Sequence, residues 1–213
     1  MALTGKVLAL YMLIASGLSE DPAQGLKIAY EAARRAVDLD DTDAWAHLAM
    51  AQTRHIAHEN VDTAKSCRTA LRLNPNLAHA EGTLGLIQAH IGNHDEAIMH
   101  VEKALRLSPK DPNQVIWMVA CVVAAVVTDR PQEYLKSCLN VTEHAPNFLP
   151  GWRHLAAAHA NLDQLDAARA AVVEILRIAP DDRIGTLLDV LPLVHPEGRE
   201  RFLTGLRKAG LPE

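Results

Sequence analysis

The sequence predicts an all-α protein built from about five helical hairpins that stack one after another. Three observations predict this fold: a composition suited to closely packed helices, a segment ending that recurs along the chain, and a matching front half in each segment. Of the 213 residues, 49% are hydrophobic while only 4% are aromatic. Alanine and leucine are prominent, and this mixture favours packed helices over sheets.

A helical ending followed by a proline recurs along the chain. Pro75, Pro109, Pro146 and Pro180 are separated by 34, 37 and 34 residues. A proline costs roughly 3 kcal/mol inside a helix and disfavours helical geometry in the residue before it, so a helix should end just before each one. A constant period of this length is typical of repeat architectures.

The front half of each segment has its own pattern, in which two large residues one helical turn apart precede a small one. The pattern begins at Trp45, Glu81, Val115 and Trp152. Because the small residue lets a neighbouring helix approach closely, we interpret each segment as two antiparallel helices.

These patterns divide the chain into five units and a C-terminal segment. The second and fourth units are longer than the third by two and three residues, which we place in their internal turns. In the first unit, residues 2–16 should form the front helix and pack against residues 23–39. The last segment should cap the apolar face of the fifth unit. The predicted ranges are 3–41, 42–77, 78–111, 112–148 and 149–182 for the units, and 183–213 for the capping segment and helix.

The N-terminus also has the outline of a short secretory signal, since Lys6 precedes an apolar run. That run is far shorter than the roughly 20 residues that a membrane span needs, and cleavage would remove the front helix of the first unit. Cys67, Cys121 and Cys138 are an odd number without CxxC spacing, so we expect buried free thiols. We therefore expect a cytoplasmic protein that does not associate with a membrane.

Charge and motif content argue against several other classes of function. The net charge of −5 is unlike that of nucleic-acid binders, which carry a basic surface. The histidine pairs His55/His58 and His90/His94 do not continue into a zinc motif. Residues 82–85 are the nearest approach to a glycine-rich phosphate loop but belong to a predicted helix. We therefore expect no metal, no cofactor, no catalytic residues and no enzyme activity.

At the repeat positions quoted above, the sequence resembles the tetratricopeptide repeat family, whose pattern the third unit follows over its full length. The resemblance implies a right-handed superhelical solenoid whose stacked front helices line a concave surface, where such proteins usually bind peptides. It also implies a protein or peptide ligand. A second copy of the chain or another domain of the parent protein is a further possible partner.

We predict the lining of this groove from the residues two positions after each first large residue and from their neighbours. The alternative is that Trp117 and Met50 are interior packing residues or contact the capping segment. Recognition of a chaperone's C-terminal carboxylate is not expected, because only Arg153 is basic among the positions where carboxylate-clamp members use lysine. The predicted groove residues are His47, Met50, His79, Thr83, Trp117, Arg153 and His154.

A second resemblance concerns the C-terminal segment. Residues 201–213, together with 147–152 and 19–22, resemble the C-terminal repeat region of proteobacterial class III adenylate/guanylate cyclases. Winged-helix regulators with similar repeats can share this tail. The cyclase domain's paired metal-binding aspartates have no counterpart here. The resemblance implies a regulatory region of a bacterial cyclase-like protein, and a free-standing adaptor that binds a separate protein is the alternative.

Overall fold

The computed structural model describes residues 2–15, 18–190 and 195–213. Within these ranges every regular element is a helix, which confirms the predicted all-α fold. Ser16 and Gly17, which the prediction placed at the end of the front helix and in the irregular stretch after it, lie outside the described residues. The helices are α1 (Ala2–Ala15), α2 (Pro22–Leu39), α3 (Ala44–Ile56), α4 (Asn60–Leu73), α5 (Ala78–His90), α6 (His94–Leu107), α7 (Gln114–Val127), α8 (Pro131–His144), α9 (Leu149–Asn161), α10 (Leu165–Ile178), α11 (Ile184–Val190) and α12 (Pro196–Ala209).

Each of the pairs α3–α4, α5–α6, α7–α8 and α9–α10 is joined by a turn of three residues. The extra residues that we placed in two of these turns are therefore not there, and that prediction is wrong. In the second unit the front-half pattern was matched two residues too early, because α3 and α5 begin 34 residues apart, at Ala44 and Ala78. For the fourth unit, two of the three extra residues lie before α7, because residues 108–113 connect α6 to α7 where only residues 74–77 connect α4 to α5. The third lies in α7, which is one residue longer than α5.

The four turns share one backbone geometry. Their middle residues have φ between 57° and 86°, in the left-handed region that glycine, asparagine and aspartate adopt more readily than other residues. In each turn the third residue donates its backbone N–H to the carbonyl five residues earlier, at 2.9 Å. This closure ends the first helix and starts the second in the same way each time. The middle residues are His58, Gly92, Asp129 and Asp163.

The residues group into two compact units, Met1–Ile87 with Ile98–Trp117, and Gln88–Ala97 with Met118–Glu213. In the first unit, α1 packs against α2 and α3, as predicted for the front helix. Val7 and four alanines of α2 and α3 form a buried cluster against which Leu3, Leu10 and Met50 pack. Small residues at these contacts let the helices approach closely.

A second part of this unit's core lies among α3, α4 and α5. Leu48 packs with Ala70 and Leu77, while Leu84 packs with Cys67 and Ile87. Burying a leucine or isoleucine side chain stabilises the fold by roughly 1.5–3 kcal/mol, so these contacts tie one hairpin to the next.

In the second compact unit, α9 packs against α8, α10 and α12. Helix α12 follows α9 over most of its length, and Phe202 and Leu206 are fully buried between them. Ile184, at the start of α11, donates its backbone N–H to the carbonyl of Pro212 at 2.8 Å. The chain's last residues are thereby attached to the segment that follows the last hairpin. None of the described helices is both long and apolar enough to cross a membrane.

Candidate functional site

A ladder of three rings links the first turns of successive front helices in the first compact unit. The His79 ring lies between Trp45 and Trp117, with centroid distances of 5.4 and 5.2 Å. The contact with Trp117 is edge-on, at 84°. Trp117 is 3% exposed, whereas Trp45 is 41% exposed. The ladder therefore runs from the interior of the unit to its surface.

Hydrogen bonds and a glycine hold the inner two rings of the ladder in place. Nε2–H of His79 donates to Asp111 Oδ2 at 3.0 Å, and Asp111 also accepts from Ser108 Oγ at 3.1 Å. A Cβ on Gly82 would lie 2.2 Å from Cδ1 of Trp117, so only glycine leaves room for the indole. The position of Trp45 is thus backed by groups that cannot easily move.

A buried ion cluster lies next to the ladder in sequence. Glu81 is 2% exposed, and its carboxylate accepts from His100 Nδ1 at 2.6 Å and pairs with Lys103 Nζ. Burial raises the pKa of Glu81, but the hydrogen bonds from His100 and Lys103 outweigh burial and hold the pKa below its usual value. Because His100 and Lys103 both belong to α6, this cluster ties α6 to α5.

Three other predicted groove residues of this unit have contacts of their own. The ring nitrogen Nε2 of His47 lies 2.8 Å from the carbonyl oxygen of Asp41. Met50 packs on the alanine cluster between α2 and α3. Thr83 is buried and donates its hydroxyl to the carbonyl of His79 at 2.9 Å. Met50 therefore contributes to the packing of this cluster, and Trp117 is 3% exposed, while a groove role for either stays a prediction.

In the second compact unit Arg153 is already paired within the chain. Its Nε donates to Asp182 Oδ2 at 2.9 Å, and its Nη2 donates to Oδ1 of the same carboxylate. This two-point pairing fixes both the position and the orientation of the guanidinium. The side chains are only 15% and 4% exposed, so the one basic residue at a clamp position is neutralised by the chain itself.

His154 is buried beside Arg153 and forms part of the surface that α12 covers. Tyr134 donates its hydroxyl to Nδ1 at 2.8 Å, and the Phe202 ring lies 4.4 Å away, centroid to centroid. Burial, with a smaller effect of the Arg153 charge, lowers the pKa of His154 to about 3. The imidazole is therefore neutral near pH 7. It packs against the Phe202 ring while it is hydrogen-bonded to Tyr134.

The structure brings only some of the seven predicted groove residues together. His79, Thr83 and Trp117 are neighbours in the first unit, while Arg153 and His154 belong to the second. Four further residues take part in these contacts but were not among the predicted groove residues: Trp45, Asp111, Glu81 and Asp182. Trp45 could have been found from the proline period, because it stands 34 residues before His79.

The described residues contain no group of three or more His, Cys, Asp or Glu side chains placed to hold a metal ion. No disulfide links Cys67, Cys121 and Cys138. Cys67 and Cys138 are buried as predicted, whereas Cys121 is only half-buried. Burial raises the pKa of the Cys67 thiol to about 12, which leaves it protonated and unreactive near neutral pH.

Comparison with known proteins adds a family match and several solved structures. The tetratricopeptide repeat profile matches residues 82–111. No curated protein sequence matches the chain. PilW, described as a widely conserved type IV pilus biogenesis factor, is 16% identical, with 97% of this chain and 93% of that chain covered and a TM-score of 0.69.

Two further solved structures are similar to this chain over most of its length. TTC0263, a tetratricopeptide repeat protein of Thermus thermophilus, is 15% identical with a TM-score of 0.64, covering 96% of this chain and 99% of that one. YrrB, described as such a protein with an unusual peptide-binding site, is 20% identical with a TM-score of 0.53, covering 83% and 90%. The chain therefore contains a match to the tetratricopeptide repeat at residues 82–111 and has a fold similar to those of these solved structures.

Proposed function

We propose that the chain is a non-catalytic protein-interaction and regulatory module that binds a protein or peptide segment. The fold supports this proposal, because arrays of helical hairpins present extended surfaces rather than deep pockets. YrrB, which has a similar fold and is described as having an unusual peptide-binding site, agrees with it. No chemistry is assigned to the chain itself.

The exposed Trp45 carries this proposal. Tryptophan is enriched among the residues that contribute most to protein interfaces, and this one projects 41% of its surface while its other side rests on the fixed His79 ring. A side chain already held in place loses little conformational entropy on binding. We therefore propose Trp45 as the anchor of the partner surface in the first compact unit.

Replacing Trp45 with alanine tests this assignment. We expect W45A to weaken capture of the partner from the source cell at least tenfold, because an anchoring tryptophan typically contributes about 2 kcal/mol or more. Thermal unfolding should change little, since the side chain is substantially exposed. Quantitative pull-down followed by mass spectrometry provides the measurement.

Val61→Ala is the matched control for W45A, because Val61 is 70% exposed on α4 of the same hairpin. Capture of the same partner should be unchanged by this variant. If W45A and V61A retain the partner equally well, Trp45 is not its anchor.

The groove formed by His47, Met50, His79, Thr83, Trp117, Arg153 and His154 stays a prediction. Arg153 and His154 already have intramolecular partners in Asp182, Tyr134 and Phe202. A ligand that binds Arg153 and His154 would have to replace these intramolecular contacts with its own.

We further propose that the chain is the C-terminal regulatory part of a cytoplasmic, bacterial adenylate/guanylate cyclase-like protein. The support is the resemblance of residues 201–213, 147–152 and 19–22 to that family. The absence of a disulfide among Cys67, Cys121 and Cys138 is in keeping with a reducing compartment. Reading the gene upstream of Met1 tests the proposal: a cyclase domain in frame would support it, and a stop codon immediately before Met1 would remove it.

A free-standing adaptor is the second candidate. In that case the partner captured through Trp45 is a separate protein. A partner surface on a second copy of the chain would instead appear as a dimer that W45A dissociates.

A further inference from the structure

Helix α12 occupies the front-helix face of the second compact unit as a bound helix would. It lies along α9 and reaches the end of α7. Its buried face consists of Gly198, Phe202, Leu203, Gly205, Leu206 and Ala209. Phe202 rests on the predicted groove residue His154, at a centroid distance of 4.4 Å.

Two glycines let α12 touch the backbone of the helices beneath it. A Cβ on Gly205 would lie 2.8 Å from both Cα and O of Ala157 on α9. A Cβ on Gly198 would lie 3.0 Å from Cγ2 and 3.1 Å from Cα of Val127 on α7. Any larger side chain at position 205 would therefore push α12 off its seat, because backbone atoms cannot give way as a flexible side chain can.

Charged contacts fix the two ends of the crossing. Arg201 donates to the carbonyls of Val126 and Val127 at 2.9 and 3.1 Å and pairs with Asp129 at 3.2 Å. A cation at these last carbonyls of α7 is favoured by the helix dipole. Lys208 pairs with Asp163. Asp129 and Asp163 are the middle residues of two successive hairpin turns.

The spacing of these contacts follows from helix geometry. Gly198 and Gly205 are seven residues apart, and so are Arg201 and Lys208. Seven residues make about two turns and advance about 10 Å along a helix. Equivalent residues on one face of α12 therefore meet the end of α7 at Gly198 and α9 at Gly205.

We infer that this face is a docking site for a partner helix that carries the chemistry of α12. Such a helix has small residues seven apart, an aromatic residue four after the first of them, and basic residues seven apart opposite Asp129 and Asp163. In the isolated chain α12 itself occupies this docking site. The partner helix displaces α12 and takes its place. The biological meaning rests on the proposed interaction function, but the exchange is a property of this chain alone.

A labelled peptide of residues 195–213 stands in for the partner helix, and fluorescence anisotropy measures its binding to the full chain. The chain variant Gly205→Leu should bind the peptide, because its own α12 no longer fits. The wild-type chain should bind it at least tenfold more weakly, since tethered α12 competes at an effective concentration in the millimolar range. A peptide carrying Gly205→Leu should not bind, whereas one carrying Thr204→Ala, at an exposed position, should bind as the unmodified peptide does.

Equal binding to the wild-type and G205L chains would overturn the inference, because the peptide would then bind elsewhere. No binding to the wild-type chain at millimolar peptide would show that α12 is a permanent cap and would overturn exchange. A wild-type dimer in light scattering would make the partner a second copy and overturn a separate helix. If G205L loses helical signal, the chain with Arg201→Ala and Lys208→Ala replaces it, with the same expected order of affinities. None of these results depends on the Trp45 partner, so the two proposals fail separately.

Discussion

His154 shows how a single buried side chain makes the second unit sensitive to acid. Its ring contacts Tyr134 and Phe202. The ring atom Nδ1 can accept the hydrogen bond from the Tyr134 hydroxyl only while the imidazole is neutral. In the unfolded chain a histidine takes up a proton near about pH 6.5. In the folded chain burial lowers the pKa to about 3, so protonation and folding oppose each other between these two values.

The free energy of unfolding should therefore fall as the pH drops below about 6.5, at up to about 1.4 kcal/mol per pH unit from this residue. Between pH 7 and pH 5 the loss from His154 amounts to about 2 kcal/mol. Urea unfolding at both pH values measures it. His154→Gln, which keeps an acceptor but does not titrate, should reduce the pH dependence by about this amount, and an unchanged dependence would show that His154 is not the buried group responsible.

For single residues, the sequence predicted positions on the front helices better than it predicted the contacts of their side chains. His79 and Trp117 were both predicted to line a groove. Their rings are in contact, and Trp117 is packed over Gly82. Arg153 was recognised as the one basic clamp position, yet its partner Asp182 comes 29 residues later. Such pairings depend on side-chain geometry in three dimensions, which periodicity does not encode.

Among the elements, the contact of α5 with the start of α7 depends on one glycine. Gly82 faces the Trp117 indole with no room for a methyl group. In contrast, a Cβ on Gly5 in α1 would meet nothing within 4 Å. Replacing each glycine with alanine therefore distinguishes two effects. At Gly82 the packing against Trp117 should dominate, whereas at Gly5 only helix propensity should change.

Gly82→Ala should lower the free energy of unfolding by about 1–3 kcal/mol, as overpacking usually does. Gly5→Ala should raise it by about 0.5–1 kcal/mol, because alanine favours helix over glycine. Urea unfolding midpoints of both variants give the comparison. Shifts of the same sign would contradict the close packing of Trp117 on Gly82.

The boundaries of the elements were predictable where prolines and caps mark them, and less so elsewhere. Pro22 and Pro196 begin helices, and the helices before Pro75 and Pro180 end within two residues of the proline. The front half of the second unit was misplaced because Trp45, Leu48 and Ala49 imitate the repeat pattern two residues early. As a result, His47 and Trp117 stand fourth in their helices, while Thr83 and His154 stand sixth, so the four do not form one column.

Across the whole molecule, most packing joins helices that are close in sequence, and α12 is the main exception among the described contacts. Helix α3 contacts α1, α2 and α4, and α9 contacts α8 and α10. This is the arrangement that a repeat of about 34 residues predicts. The covering of α9 by α12 was only foreseen as a general need for a cap, because its position depends on the Gly205 and Phe202 contacts.

The packing indicates that each hairpin stabilises its neighbours in sequence, and that the hairpins do not share one core. Native-state hydrogen exchange of the Leu84→Ala variant distinguishes these two arrangements. Leu84 is buried against Cys67 and Ile87, so its truncation should cost about 2–5 kcal/mol. Exchange should accelerate in α3 to α6 and stay unchanged in α9, α10 and α12. An equal acceleration in all of these helices would contradict the account, because the chain would then unfold around a single cooperative core.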